Sequence, residues 1–340
     1  LPWLSYVMKL SVSGDLWRHN SGSENCLAVA KCVQHSHNWA MIKGVLLLLI
    51  LCLWPRAGTA QELTPRAYWP APKGTQVLTL GAVYTDGDTV PDPSLPVTGV
   101  DSQIATGMIA YLHTLDLFGR TSNLIVEQAY SSGDTSVESP ERGSIERTYR
   151  GAGDLAATLS VNLMGAPTMS REEFAELRRN PRPILGASLK LVAPTGRYDA
   201  DKLLNVGANR WAAKAELGYM TVLNPKWLLE FELGVWVFDD NDDFLGVTRK
   251  QGSITSAEFH LVRRFSPGFW ASLDLNGYRG GQSEINGRRL DDLQRDSKIG
   301  FTLAYPFARK HALRFSYSTG SVNDSEEDFD MFHLSYSRLF

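Results

Sequence analysis

The chain has 340 residues, 21 % of them charged, and a formal net charge of −3; its mean hydropathy is −0.19. Such a charge excludes a binder that works by neutralising phosphates, so no nucleic-acid partner is expected. The mild hydropathy does not exclude a membrane protein, because a barrel hides its apolar face by alternation along each strand.

All three cysteines, Cys26, Cys32 and Cys52, lie in the first 60 residues. The apolar run 45–54 is too short to span a bilayer as a helix. It follows Met41 and Lys43 and leads to Gly58-Thr59-Ala60, so residues 41–60 read as a secretory signal peptide with Gln61 as the mature start. Residues 1–40 read as an upstream extension outside the mature protein, and Cys26, Cys32, His35 and His37 fit no standard zinc spacing. Five Lys/Arg and two Asp/Glu precede the cleavage point. The mature chain then carries about −6 and no thiol for a disulfide, a metal or a nucleophilic role, and no cofactor or metal is expected.

Residues 64–73, with Pro65, Pro70 and Pro72, read as a loop. Strands are expected at 76–84, 103–115 and 123–130, with a long loop at 86–100, a tight turn at Phe118-Gly119-Arg120 and a polar loop at 131–150. In 154–163, Leu155, Ala157, Leu159, Val161 and Leu163 share one face against Asp154, Thr158, Ser160 and Asn162. The preceding Gly151-Ala152-Gly153-Asp154-Leu155-Ala156 matches a dinucleotide fingerprint, but its glycines precede a strand instead of opening a helix, so the match is discarded. Ser170 with Glu173 forms a capping box that starts a helix over 170–179. This helix bridges two strands and is expected to plug or pack under one mouth. Further strands are expected at 184–193, 211–220, 227–238, 254–263, 269–278, 298–305, 312–318 and 332–340.

The clearest of these is 227–238, where every odd position from Trp227 to Val237 is apolar while Glu230, Glu232 and Gly234 occupy even ones. About a dozen such strands, with nothing left over to cover their apolar faces, predict a transmembrane antiparallel up-and-down β-barrel over 61–340, of about 12 strands with one short periplasmic helix. Short turns alternate with long loops, which places the chain in the outer membrane of a Gram-negative bacterium, its apolar face against outer-membrane lipid. The alternating stretch 332–340 ends in Phe340 and resembles the signal by which barrels reach the barrel-assembly machinery, with Arg338 departing from the usual apolar residue.

Alternation turns Lys190, Lys214, Glu216, Glu230, Glu232, Glu258, Arg264, Asp274, Lys298 and Arg314 into the lumen. They either line a conduit or fill the barrel as ion pairs, since twelve strands lie between filled and open sizes. Three acids (Glu216, Glu230, Glu232) against two bases (Lys190, Lys214) favour cations weakly. The run Asp239-Asp240-Asn241-Asp242-Asp243 falls on an external loop; it lacks the spacing of a calcium loop and reads as solvated. His260, Ser272 and Asp274 share the lumen face, but no nucleophile elbow or oxyanion signal accompanies them, so no enzyme activity is expected.

The stretch Ala193-Pro194-Thr195-Gly196-Arg197-Tyr198-Asp199 is followed by Lys202-Leu203-Leu204-Asn205-Val206-Gly207-Ala208-Asn209-Arg210-Trp211. With Val235-Trp236-Val237-Phe238-Asp239-Asp240-Asn241-Asp242-Asp243-Phe244, Pro267-Gly268-Phe269-Trp270-Ala271-Ser272-Leu273-Asp274 and Tyr317-Ser318-Thr319-Gly320, it resembles the outer-membrane "transporter" proteins grouped as the MetA-pathway of phenol degradation family. The likeness covers about 77–340. It implies an outer-membrane barrel associated with passage of small, often aromatic, solutes, and it brings no catalytic residues. The function expected is a passive channel for small solutes; the alternatives are a non-conducting surface barrel that anchors or binds, and an outer-membrane hydrolase.

Overall fold

The computed structural model describes residues 64–90, 100–139, 143–320 and 329–340. The extension 1–40, the signal peptide 41–60 and the Gln61 start lie outside these residues, as do 91–99 of the first long loop. Strands β1 (Gln76–Gly87), β2 (Asp101–Leu117), β3 (Arg120–Ser139), β4 (Gly143–Ala152), β5 (Leu155–Met164), β6 (Ile184–Ala193), β7 (Ala212–Asn224) and β8 (Trp227–Phe238) follow one another around a wall. A hairpin of β9 (Asn241–Phe244) and β10 (Val247–Gln251) leaves it. After β11 (Ile254–Ser266) and β12 (Phe269–Gly280), the short β13 (Ser283–Ile285) and β14 (Arg288–Arg289) leave it again. The wall is completed by β15 (Gln294–Ala308), β16 (His311–Gly320) and β17 (Phe329–Leu339).

β17 pairs with β1 from Val77↔Leu339 to Gly87↔Phe329, so the wall is closed. β4 and β5 both pair with β3, end to end, and act as one strand broken at Gly153-Asp154. Counted that way, the barrel has twelve antiparallel strands. Closure removes every free edge, which is what a sheet needs in hydrocarbon, where no water can satisfy an unpaired amide.

Side-chain parity decides which face is which. Leu233 is 46 % exposed and Leu273 62 %, whereas Glu232 is 3 % and Asp274 0 % exposed. A barrel with apolar residues outside and carboxylates inside is inverted relative to a soluble protein, and its outer band is a lipid surface. Aromatic rings gather at the short-turn rim: Phe265 lies 4.7 Å from Phe269, which lies 5.4 Å from Tyr305. The Arg263 guanidinium sits 5.0 Å over Trp227 in the same girdle, an interfacial position for a cation on an aromatic face.

A two-residue turn joins β2 to β3 through Phe118 and Gly119, both with positive φ (54° and 74°). That is the mirror-image geometry that suits hairpin twist. A longer link on the same side carries α1 (Arg171–Arg179), whose Ser170 cap and Glu173 form the reciprocal capping box. Asn180 and Arg179 hold the Glu176 carboxyl below its usual range at the far end. Phe174 and Leu177 turn the helix against the buried cluster at the short-turn mouth.

Three expectations need correction. The polar loop expected at 131–150 is instead the extension of β3 to Ser139 and the partner strand β4. The long outer loops, expected without secondary structure at 239–253 and 279–297, contain β9, β10, β13 and β14, which join into a separate four-stranded sheet. In each case the strands rise beyond the lipid band, where no face is required to be apolar and the period of two vanishes.

An arginine at mid-strand Leu273, facing lipid, should cost about 2–4 kcal/mol in reversible folding into bilayers, against about 0–1 at Leu339 near the rim. Equal losses at both positions would contradict the assigned lipid face.

Candidate functional site

The lumen is organised by rows of residues that face one another across neighbouring strands. One row sets Glu230 opposite His260 and His260 opposite Asp274; the next sets Glu232 opposite Glu258. Like charges directly opposed repel, so these buried acids need compensation. Lys214 supplies part of it, with its Nζ 2.6 Å from Glu216 and 3.5 Å from Glu258. Lys190 is engaged elsewhere, 2.7 Å from Glu127, a lumen acid that the alternation argument did not single out.

The rest of the compensation comes from residues 64–75, which thread into the barrel from the short-turn end. The amide of Thr64 donates to Glu258 Oε2 at 3.4 Å, and that of Arg66 donates to Glu230 Oε2 at 2.6 Å. The Tyr68 hydroxyl donates to Glu216 Oε1 at 3.0 Å and lies 3.1 Å from Ser188 Oγ. Behind the ring, Gly186 and Gly218 face each other across β6 and β7. A Cβ on either would come within 2.1 Å of the Tyr68 ring, so the pair of glycines is a slot cut to an aromatic ring. The following residues are pinned by backbone bonds: Thr114 donates to Thr75 at 2.8 Å, Gly74 to Thr114 at 2.9 Å and Lys73 to Met169 at 3.1 Å.

Below the carboxylates lies a layer of cations on aromatic faces. The Arg66 guanidinium sits 4.3 Å over Trp69 and 5.2 Å over Trp270, and Arg314 sits 5.6 Å over Trp270. Arg264 lies 5.3 Å over Trp69, donates to Pro225 O at 3.0 Å and also donates to Arg178 O. This layer packs on Ile184, Met220, Leu228, Val262 and Ala304 of the wall and on α1, sealing the short-turn mouth. The cationic mouth opposes the weak cation preference that the acids alone suggest.

All ten sequence-selected lumen residues project inward, but they do not form one site. Glu216, Glu230, Glu232, Glu258 and Lys214 surround the inserted segment, and Asp274 is reached through His260. Arg264 and Arg314 belong to the mouth layer. Lys298 sits higher, with its Nζ 3.6 Å over the Phe329 ring. His260 Nδ1 and Asp274 Oδ1 are 2.8 Å apart, and Asp274 Oδ2 accepts from Thr302 at 2.9 Å. Ser272 Oγ makes no hydrogen bond, so these residues do not assemble a serine–histidine–aspartate relay. A shallow hollow of about 510 Å³ on the outer wall is lined by Ala82, Ala105, Gly107 and Ala152.

The acidic run and the family-like loop residues build the outer cap. Asp240 pairs with Lys250 at 2.7 Å and raises that lysine above its usual value, while Asp239, Asp242 and Asp243 diverge along the β9 hairpin. Asp154, at the break between β4 and β5, accepts from the amides of Gly196 at 2.7 Å and Ala208 at 2.9 Å. Buried Asn241 donates to the Tyr198 hydroxyl at 2.9 Å and accepts from Asn209 at 3.0 Å. Over this net, Val90, Val100 and Phe244 pack with Leu204 and Ile285. The recognisable sequence pattern therefore specifies the cap, whereas the inserted segment carried no signal beyond its prolines and the adjacent Tyr68-Trp69.

Gly218→Ala should expel the Tyr68 ring and loosen the segment. Losing its hydrogen bonds is worth about 1–3 kcal/mol, so the Arg66 amide should exchange with solvent about tenfold faster or more. Unchanged exchange in the substituted barrel would show that the slot does not hold the segment.

The chain matches, over residues 82–329, the family described as "Putative MetA-pathway of phenol degradation". No curated protein matches it. Among solved structures it is similar to the COG4313 outer membrane channel from Pseudomonas putida F1, at 23% identity and a TM-score of 0.65, covering 82% of this chain and 100% of that one. The β domain of the Bordetella autotransporter BrkA is more distant, at 12% identity and a TM-score of 0.45 over 79% of this chain and 100% of that one. The transport unit of the Escherichia coli autotransporter AIDA-I shares 9% identity at a TM-score of 0.48, over 83% and 93%. With the family match covering most of its length and a closed twelve-stranded wall, the chain belongs to the "Putative MetA-pathway of phenol degradation" family and is an outer-membrane β-barrel of a Gram-negative bacterium.

Proposed function

We propose that the protein is a gated passive channel for small solutes, aromatic ones among them, with residues 64–75 as the gate. The observation that carries this reading is the seat of Tyr68. Its side chain is a phenol, held flat in a glycine slot with its hydroxyl on Glu216. A wall that only needed filling would use its own side chains; here two wall positions are left as glycine, and a separable coil segment supplies the ring. The same slot and carboxylate suit a free phenol once the segment withdraws. Lys190, Lys214, Glu216, Glu230, Glu232 and Glu258 then line the exposed path, with Arg264 and Arg314 at its periplasmic mouth and Asp274 and Lys298 on the far wall.

The route to the membrane belongs to the same reading. The signal peptide 41–60 directs secretion and leaves Gln61 at the start, and the alternating β17 with exposed Phe340 is what the barrel-assembly machinery takes up.

Wild-type barrel in planar bilayers should conduct weakly, and Tyr68→Ala should raise the conductance severalfold. Added phenol should raise wild-type conductance more than toluene, which lacks the hydroxyl, at equal concentration. A Tyr68→Ala barrel that inserts and conducts no better than wild type would defeat the channel and leave the non-conducting surface barrel standing.

A further inference from the structure

We infer that the lumen holds a binding site for a first-row divalent transition-metal ion, with Zn²⁺ as its natural type, formed by Glu232, Glu258 and His260. One ligand atom from each residue lies within 4.8 Å of the other two. All three side chains are removed from solvent: Glu232 and Glu258 are 3 % exposed and His260 0 %. A tetrahedral Zn²⁺ with ligands at about 2.0–2.2 Å holds those atoms roughly 3.3–3.6 Å apart, so small rotations of the two glutamates close the site.

The histidine is the observation that separates this from an ordinary cluster of acids. Its Nδ1 is engaged by Asp274 Oδ1 at 2.8 Å, and Asp274 is itself fixed by Thr302 at 2.9 Å. Its Nε2, fully buried, makes no hydrogen bond. That nitrogen points at the carboxylate pair, with Glu258 Oε2 3.5 Å away. A carboxylate behind the ring, holding one nitrogen protonated and presenting the other as a lone pair, is the arrangement that supports histidine as a metal ligand. The opposed carboxylates Glu232 and Glu258 supply the anionic charge that an ion of charge +2 offsets.

The donor set fixes the class of ion. One imidazole nitrogen with two carboxylates suits zinc and its first-row neighbours, whereas calcium and magnesium favour oxygen alone. Three protein ligands leave a fourth position for water or a solute. Lys214 approaches Glu258 through the other oxygen, Oε1, at 3.5 Å. The Thr64 amide reaches Oε2 at 3.4 Å, so the ion and Thr64 of the inserted segment meet at one atom.

The test uses the full barrel in detergent, stripped with chelator and dialysed against Zn²⁺, or against Co²⁺ for its d–d spectrum. Wild type should retain one ion per chain and show Co²⁺ bands of nitrogen and oxygen coordination. His260→Asn and Glu258→Gln should lose both signals while keeping the β-sheet circular dichroism of wild type. Asp274→Asn, one step removed, should weaken binding about 10–100-fold. Asp240→Asn removes a carboxylate on the outer cap, paired with Lys250 and away from the three ligands, and should bind as wild type does. Should His260→Asn unfold, the Asp274→Asn and Glu232→Gln barrels decide the matter by the same two signals. Absence of retained metal in wild type, or equal retention by the folded His260 or Glu232 variants, overturns the site and leaves His260 an imidazolium held between Asp274 and Glu258. Because the readout is metal content and spectrum, conduction can fail or succeed independently.

Discussion

The constraint from which the rest follows is that β17 must meet β1. In hydrocarbon an open edge leaves a row of amides with no partner, so the sheet has to curl until its last strand pairs with its first. The register from Val77↔Leu339 to Gly87↔Phe329 does this without a shift. Once the wall is closed, each residue has one of two fates, lipid or lumen, and a one-residue slip anywhere would exchange them. The lipid side accepts apolar residues, with aromatics and a cation such as Arg263 only at the rim. Everything polar in the transmembrane part of the chain is therefore sent inward, into a space that must satisfy it internally.

That is why the lumen is the chemically dense part of the molecule. Five carboxylates of neighbouring strands, Glu216, Glu230, Glu232, Glu258 and Asp274, are crowded into a volume that the wall alone does not neutralise. Lys214 answers some of the charge, His260 gives Asp274 a hydrogen-bond partner, and the amides of Thr64 and Arg66 answer more. The inserted segment is thus held by these polar contacts together with Tyr68 in its glycine slot and Ala67 and Trp69 against the apolar cluster at the mouth. Polar contacts of this kind have close competitors in water and in solutes, so the arrangement is suited to opening.

The strands were legible from the sequence where lipid imposes a period. Trp227 to Phe238 is apolar at every odd position and carries Glu230 and Glu232 on the even side, and the strand and its parity follow from that. Where lipid is absent, neither face has to be apolar: Ser131 and Thr135 are buried yet polar, so the hydropathy period fails and 131–139 and 143–150 looked like loop. The capping box of α1 was readable because Ser170 and Glu173 need only local geometry. Residues 64–75 were not, because a coil inside a barrel is shaped by its host and carries no pattern of its own. The slot was equally hidden, since Gly186 and Gly218 are distant in sequence and meet only through the β6–β7 register. The alternation did place the lumen charges inward, but their grouping into a carboxylate layer and an arginine mouth depends on strand stagger, which hydropathy does not encode.

The account stands on one claim, that residues 64–75 are the element that closes the barrel. Deleting 64–73 and measuring phenol flux into liposomes tests it most directly. The account predicts that the deleted barrel leaks, and that a peptide of sequence 64–73 added back restores the seal unless its Tyr68 is replaced by Ala. A deleted barrel that inserts fully and remains as tight as the full chain would contradict it.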